Sequence, residues 1–166
     1  MQLILSVIVL IGCSYLGYGL GNHYVKRHRF IADLIAFANH LKVEIAFSKE
    51  SLKSIINSHI NEFSSDFKSV LKTYLKLLKS NDYITIQDLD ENINTIYVEG
   101  SEKVQMLQFF NNLGKSDCHH QVETIEKFLV YFNSFLKEAN VQKHKYTGML
   151  KKLGFLTGVF IVIVIL

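Results

Sequence analysis

Proline is absent from all 166 residues. Inside a helix, proline removes a backbone donor and clashes with the preceding turn, so its absence leaves long uninterrupted helices open to this chain. Charge is missing from both ends. Residues 1–22 carry no Lys, Arg, Asp or Glu, and neither do residues 153–166. All 18 basic and 15 acidic side chains lie between Lys26 and Lys152. A chain segregated in this way has to meet two solvents. Cysteine is scarce. Cys13 sits in the apolar leading segment and Cys118 in the polar middle, so no disulfide framework is read. Catalytic signatures are lacking too: no Gly-rich phosphate loop, GxSxG elbow, HExxH or CxxC occurs. The chain reads as non-enzymatic and without a cofactor. Its net charge of +3 is too small to argue for nucleic acid.

What is present begins with two apolar segments. Gln2 to Asn22 would extend roughly 31 Å as a helix, close to the hydrocarbon thickness of a bilayer. Nothing basic precedes it, whereas a cleaved secretory leader carries positive charge in front of its apolar run. It is therefore read as a retained transmembrane helix over residues 1–22. Cys13, Gly17 and Gly21 recur every four residues, a small-residue stripe of the kind that lets two membrane helices approach. The second segment, residues 153–166, would extend only about 21 Å. It reads as a short transmembrane segment, with a re-entrant or interfacial tail as the other reading. Lys26, Arg27 and Arg29 follow the first segment, and Lys143, Lys145, Lys151 and Lys152 precede the second. Both basic flanks belong to one loop, so the positive-inside rule places residues 23–152 in the cytoplasm.

The middle has helical periodicity. Phe30, Leu34, Phe37, Leu41 and Ile45 form one stripe, with Ile31, Ile35 and Ala38 beside it. Leu52, Ile55, Ile56 and Ile60 mark a short second helix that Ser51 or Ser48 can cap. A third runs through Phe63, Phe67, Val70, Leu71, Tyr74, Leu75 and Leu78, and ends at Ser80-Asn81-Asp82. Tyr83, Ile84 and Ile86 alternate like a strand, but no second strand is available to pair with one. Leu89, Ile93, Ile96 and Tyr97 mark a fourth helix, and Val104, Leu107, Phe110 and Leu113 a fifth. The final helix carries Ile125, Phe128, Leu129, Phe132, Phe135, Leu136 and Ala139. Between the last two lies Leu113-Gly114-Lys115-Ser116-Asp117. Glycine accepts the left-handed conformation that stops a helix. Ser116 then offers a cap oxygen, and Asp117 complements the next helix's positive end. The expected fold is all-α, a bundle of five or six helices flanked by the two membrane segments.

Cys118-His119-His120 is the nearest approach to a metal cluster. Successive helix residues diverge by about 100°, so three in a row do not converge on one ion, and a solvated helix start is the reading adopted. The histidines His23 and His28 stand among the basic residues of the first flank, as interfacial residues do.

Taken together, these stretches resemble the stage III sporulation protein AB family of the sporulation channel complex. The shared features are the basic cluster Lys26-Arg27-His28-Arg29 and a first helix carrying Leu34-Ile35, Leu41 and Glu44-Ile45, followed by Leu52. To these add the corner Leu113-Gly114-x-Ser116-Asp117 with Gln121, and the closing run Leu153-Gly154-Phe155-Leu156-x-Gly158. The chain departs from the family pattern at Cys118-His119-His120, often charged there, and in lacking a proline near Ser51. The resemblance implies a helical domain similar to the cytoplasmic domains of the platform protein of type II secretion and type IV pilus machines. It implies a mother-cell protein of the outer forespore membrane, coupling a secretion-type ATPase (stage III sporulation protein AA) to channel rings. Other stage III sporulation complex proteins and a second copy of the chain are the further partners considered. The residues themselves leave a second reading open, a membrane-anchored regulator that binds anionic lipid or nucleic acid through the basic flanks.

Overall fold

The computed structural model describes residues 2–48, 50–80, 84–93, 95, 97–98 and 100–165. These form six helices: α1 Gln2–Phe47, α2 Leu52–His59, α3 Ser65–Ser80, α4 Ile86–Asn92, α5 Gly100–Asn112 and α6 Cys118–Ile165. No strand occurs among the described residues, and the fold is all-α. Asn81, Asp82, Tyr83 and Ile96 lie outside the described residues. The chain makes two compact units: Arg29–Leu136, and Met1–His28 with Lys137–Leu166. Without proline, α1 and α6 each run unbroken through 46 and 48 residues.

The unit Arg29–Leu136 is organised around aromatic rings. Phe30, Ile31, Leu34, Phe37, Ala38 and Leu41 of α1 are all buried, so the predicted stripe faces the core. Phe37 lies at the centre, with ring centroids 5.9 Å from Phe63, 5.8 Å from Phe67, 6.3 Å from Phe109 and 6.1 Å from Phe110. Most of these pairs meet edge to face, the arrangement that the ring quadrupole favours. Phe109 continues the cluster to Phe128 and Phe132 of α6. Tyr74 is buried with its hydroxyl donating to the Phe110 carbonyl at 2.9 Å, and burial pushes its phenol well above the usual tyrosine range.

Local chemistry sets the helix ends. Ser51 caps α2, its side chain accepting from Ser54 N at 3.3 Å and its carbonyl from Ile55 N at 3.1 Å. Phe63, expected as the first member of the third helix, is buried but precedes it. Asp33 of α1 accepts hydrogen bonds from the backbone N–H (3.1 Å) and the hydroxyl of Ser64, whose carbonyl receives Lys68 N at 2.8 Å. The helix therefore begins at Ser65.

Two expectations need correction. The fourth helix does not reach Tyr97. It opens with a capping box between Thr85 and Asp88 and ends at Asn92, with Ile93 in extended backbone at φ −90° and ψ 92°. Bonds from the Thr85 hydroxyl and backbone N–H hold the Asp88 carboxyl below its usual range. Beyond Asn92 the chain offers Ile93, Thr95 and Val98, which are stiff at χ1, and Tyr97 N donates to Thr95 Oγ1 at 3.3 Å instead of to a helical carbonyl. Ile93 and Val98 are nonetheless buried, so apolar spacing there reports burial without helix. In α5, Val104 is 51% exposed, while Met106, Leu107, Phe109 and Phe110 face inward. The burial of Phe109 rotates the inward face away from Val104.

Candidate functional surfaces

The unit Met1–His28 with Lys137–Leu166 pairs the two chain ends antiparallel, and glycine makes the approach close. A Cβ built on Gly17 would stand 2.7 Å from the Leu150 carbonyl oxygen and 2.9 Å from Gly154 Cα. One on Gly154 would stand 2.8 Å from both the Cys13 oxygen and Gly17 Cα, and one on Gly158 3.2 Å from Cys13 Cβ. At Gly21 it would be 3.1 Å from the Thr147 oxygen. Thr147 Oγ1 also donates to the Gly21 carbonyl at 3.3 Å. Cys13, Gly17 and Gly21 thus face Gly158, Gly154 and Thr147 in register. Gly12, Gly19 and Gly148 have open space around them and take no part. The sequence reading identified the stripe on α1 but assigned no counterpart on α6. Gly154 and Gly158, four residues apart, were the available signal.

Outside this seam the pair is apolar and uncovered. Ile8, Ile11, Tyr15, Leu16 and Leu20 of α1 are exposed, as are Leu153, Phe155, Leu156, Phe160, Ile163 and Val164 of α6. Exposed apolar area of this extent does not suit water. Among the described residues, one helical stretch, Cys118–Val164, is long and apolar enough to cross a membrane.

The predicted basic flanks border this surface. Lys151 Nζ lies 4.7 Å from the centroid of the Tyr18 ring and Lys145 Nζ 5.1 Å from that of Tyr146, both cation–π contacts. Tyr146 stacks on Tyr24 at 5.1 Å, and Arg27 Nη1 donates to Gln142 Oε1 at 2.9 Å. Lys26, Arg29 and Lys152 are exposed, and Lys143 is half-buried. Desolvation, helped by Lys143 and His144, holds His28 below its ordinary value.

The helix corner lies in the unit Arg29–Leu136. Gly114 has φ +78°, as a left-handed helix stop requires. The capping role differs from expectation. Asp117, not Ser116, holds the cap position, because its carbonyl accepts Gln121 N at 2.9 Å. The Ser116 carbonyl instead receives Gln121 Nε2 at 3.0 Å. Lys115 ties the corner to neighbouring chain through the Ile84 carbonyl (3.3 Å) and Asn111 Oδ1 (2.8 Å). Leu113 and Gly114 line a groove of about 770 Å³ with Leu52, Tyr74 and Leu78. Gly114, Ser116 and Gln121 line a second of about 460 Å³ with Phe47 and Leu52. Phe47 stands at its edge, 87% exposed. Cys118, His119 and His120 are all exposed, and His120 Nδ1 is 3.8 Å from Asp117 Oδ1.

No solved structure matches the chain. A curated relative, "Stage III sporulation protein AB" of Bacillus subtilis (strain 168), is 22% identical over 170 residues, covering 100% of this chain and 99% of the relative. The family model described as stage III sporulation protein AB matches residues 2–166. A match running through both glycine-packed ends and the helix corner leaves no part of the fold outside it: the chain belongs to the stage III sporulation protein AB family.

Proposed function

We propose that this sporulation protein is a non-enzymatic membrane platform, anchored by its paired ends and presenting a cytoplasmic helical domain to a secretion-type ATPase, stage III sporulation protein AA. The carrying observation is the close glycine-mediated pairing of two exposed apolar helices, bordered by basic and tyrosine side chains. Lipid covers such a surface at no cost, and the lysines reach the headgroups from its edge. The first apolar segment then inserts beside the second, and both basic flanks face the cytoplasm. The corner grooves, with Phe47 and Leu52, supply the partner surface. Apolar side chains at the mouth of a groove suit a protein contact.

Sidedness is read with native thiols. A membrane-impermeant maleimide labels Cys118, which is exposed, in inverted vesicles and leaves it untouched in intact protoplasts. Labelling in protoplasts alone would reverse the topology. Coupling is read by co-purification. The detergent-solubilised full chain retains the ATPase, and Phe47→Ala lowers retention at least tenfold while leaving helical content unchanged. Absence of ATPase retention by the unsubstituted chain would defeat the coupling.

A further inference from the structure

We propose that His40, His59 and Glu62 form a binding site for one divalent transition-metal ion of the zinc type, clamping α1 to the turn between α2 and α3. The site lies inside the unit Arg29–Leu136, shares no residue with the basic flanks or with the lining of the corner grooves, and does not depend on the platform reading.

The ligand atoms of all three residues lie within 4.8 Å of one another. Glu62 Oε1 is 2.9 Å from His59 Nδ1, and Glu62 Oε2 is 3.6 Å from His40 Nε2. Donors arranged tetrahedrally at zinc bond lengths stand about 3.3 Å apart. The two contacts, made by different oxygens of Glu62, are of that order, so a small rotation of the carboxylate brings one oxygen to both imidazoles. The imidazole rings stack with centroids 4.6 Å apart and planes at 26°. Binding requires a tilt that converges their lone pairs, and His40 and Glu62 are open enough to solvent to turn. Two imidazoles and a carboxylate form a donor set that suits zinc, cobalt or nickel and not magnesium or calcium. The fourth position is left to water.

Glu44 completes the arrangement. Its Oε1 lies 3.9 Å from His59 Nε2, across the ring from the nitrogen that meets Glu62. As placed, the ring's hydrogen bond runs between Nδ1 and Glu62 Oε1 at 2.9 Å, and 3.9 Å is too long for one to Glu44. Metal binding at Nδ1 would move the ring proton to Nε2, where Glu44 is near enough to turn and receive it as a carboxylate behind a ligating histidine. The backbone is already organised for the site. Asp33, Phe37, His40 and Glu44 recur at helical spacing along one face of α1. Asp33 holds Ser64, Phe37 packs on Phe63, and Glu62 N donates to the His59 carbonyl at 3.0 Å. Glu62 is therefore fixed on both sides within the turn, and only its side chain remains to adjust. Nothing in the sequence alone singles out these residues. His40-x3-Glu44 and His59-x2-Glu62 are short, common spacings, and the fold brings them together.

The test uses cobalt(II) as a spectroscopic probe of the detergent-solubilised full chain, purified without a polyhistidine tag. One equivalent binds with the intense visible bands of a low-coordinate site, and zinc displaces it. His40→Ala and His59→Ala each weaken binding at least tenfold, and Glu62→Gln does so while preserving side-chain shape. Glu44→Gln weakens it about tenfold. The control Cys118→Ser/His119→Ala/His120→Ala binds like the unsubstituted chain. Helical circular dichroism establishes that each variant folds. The site is refuted if no equivalent binds, if binding survives His40→Ala and His59→Ala, or if the control abolishes it.

Discussion

Gly158→Cys, in a chain whose Cys118 is replaced by serine, forms an intramolecular disulfide with the native Cys13 on mild oxidation, seen as faster migration on non-reducing gels. A Cβ at residue 158 lies 3.2 Å from Cys13 Cβ. Disulfides span about 3.5–4.5 Å between Cβ atoms, so a shift of a few tenths of an ångström suffices. Adding Gly154→Ile cuts the cross-link at least tenfold. Its Cβ would meet the Cys13 oxygen and Gly17 Cα at 2.8 Å. Both are backbone atoms, so no rotamer change relieves the clash and the helices have to separate. Gly12→Ile is the matched control, because nothing lies within 4 Å of that position. Equal cross-linking in the Gly154→Ile and Gly12→Ile chains would mean that the seam does not hold the ends together.

Two phenylalanines separate packing from surface. Phe37→Ala removes the ring on which the aromatic cluster converges and destabilises the domain by about 3–5 kcal/mol, the transfer term plus the cavity left behind. Against a total of about 5–15 kcal/mol for an ordinary domain, that is a large fraction. Phe47→Ala, at an 87% exposed side chain, changes stability by less than about 0.5 kcal/mol. Urea unfolding of the full chain in detergent, followed by helical circular dichroism, reads both. Similar midpoints for the two variants would overturn the assignment of Phe37 to the centre of the core. The same Phe47→Ala chain then isolates partner binding from folding.

The parts of this fold that were legible in the sequence are those decided by neighbouring residues. Charge segregation marked the ends. A serine cap on α2, with Ser51 and Ser48 both open and Ser51 the one used, and the left-handed stop at Gly114 followed from the conformations that serine and glycine favour. The stripe through Phe30, Leu34, Phe37 and Leu41 followed from 3.6-residue periodicity. What was misjudged depended on distant residues. Ile93 has the spacing of a helical core position yet is buried in extended chain, and periodicity does not distinguish the two. Phe63 lies outside its helix because Asp33, thirty residues earlier, takes hold of Ser64. The glycine seam needed two stretches brought into register from opposite ends of the chain. The His40–His59–Glu62 cluster needed a turn folded back onto α1.

The Tyr18–Lys151 contact acts as a depth gauge if the paired ends sit in a bilayer. The ammonium group and the aromatic ring occupy the same level on two antiparallel helices, so neither can sink without carrying the other along. Advancing the pair by a single helical turn, about 5.4 Å, would draw Lys151 and Lys152 into hydrocarbon. Retreating by the same distance would bring Leu153 and Phe155 into water. On the proposed insertion, the immersed length would be held at a fixed mark on both helices, and an axial force on the ends would meet opposition in either direction.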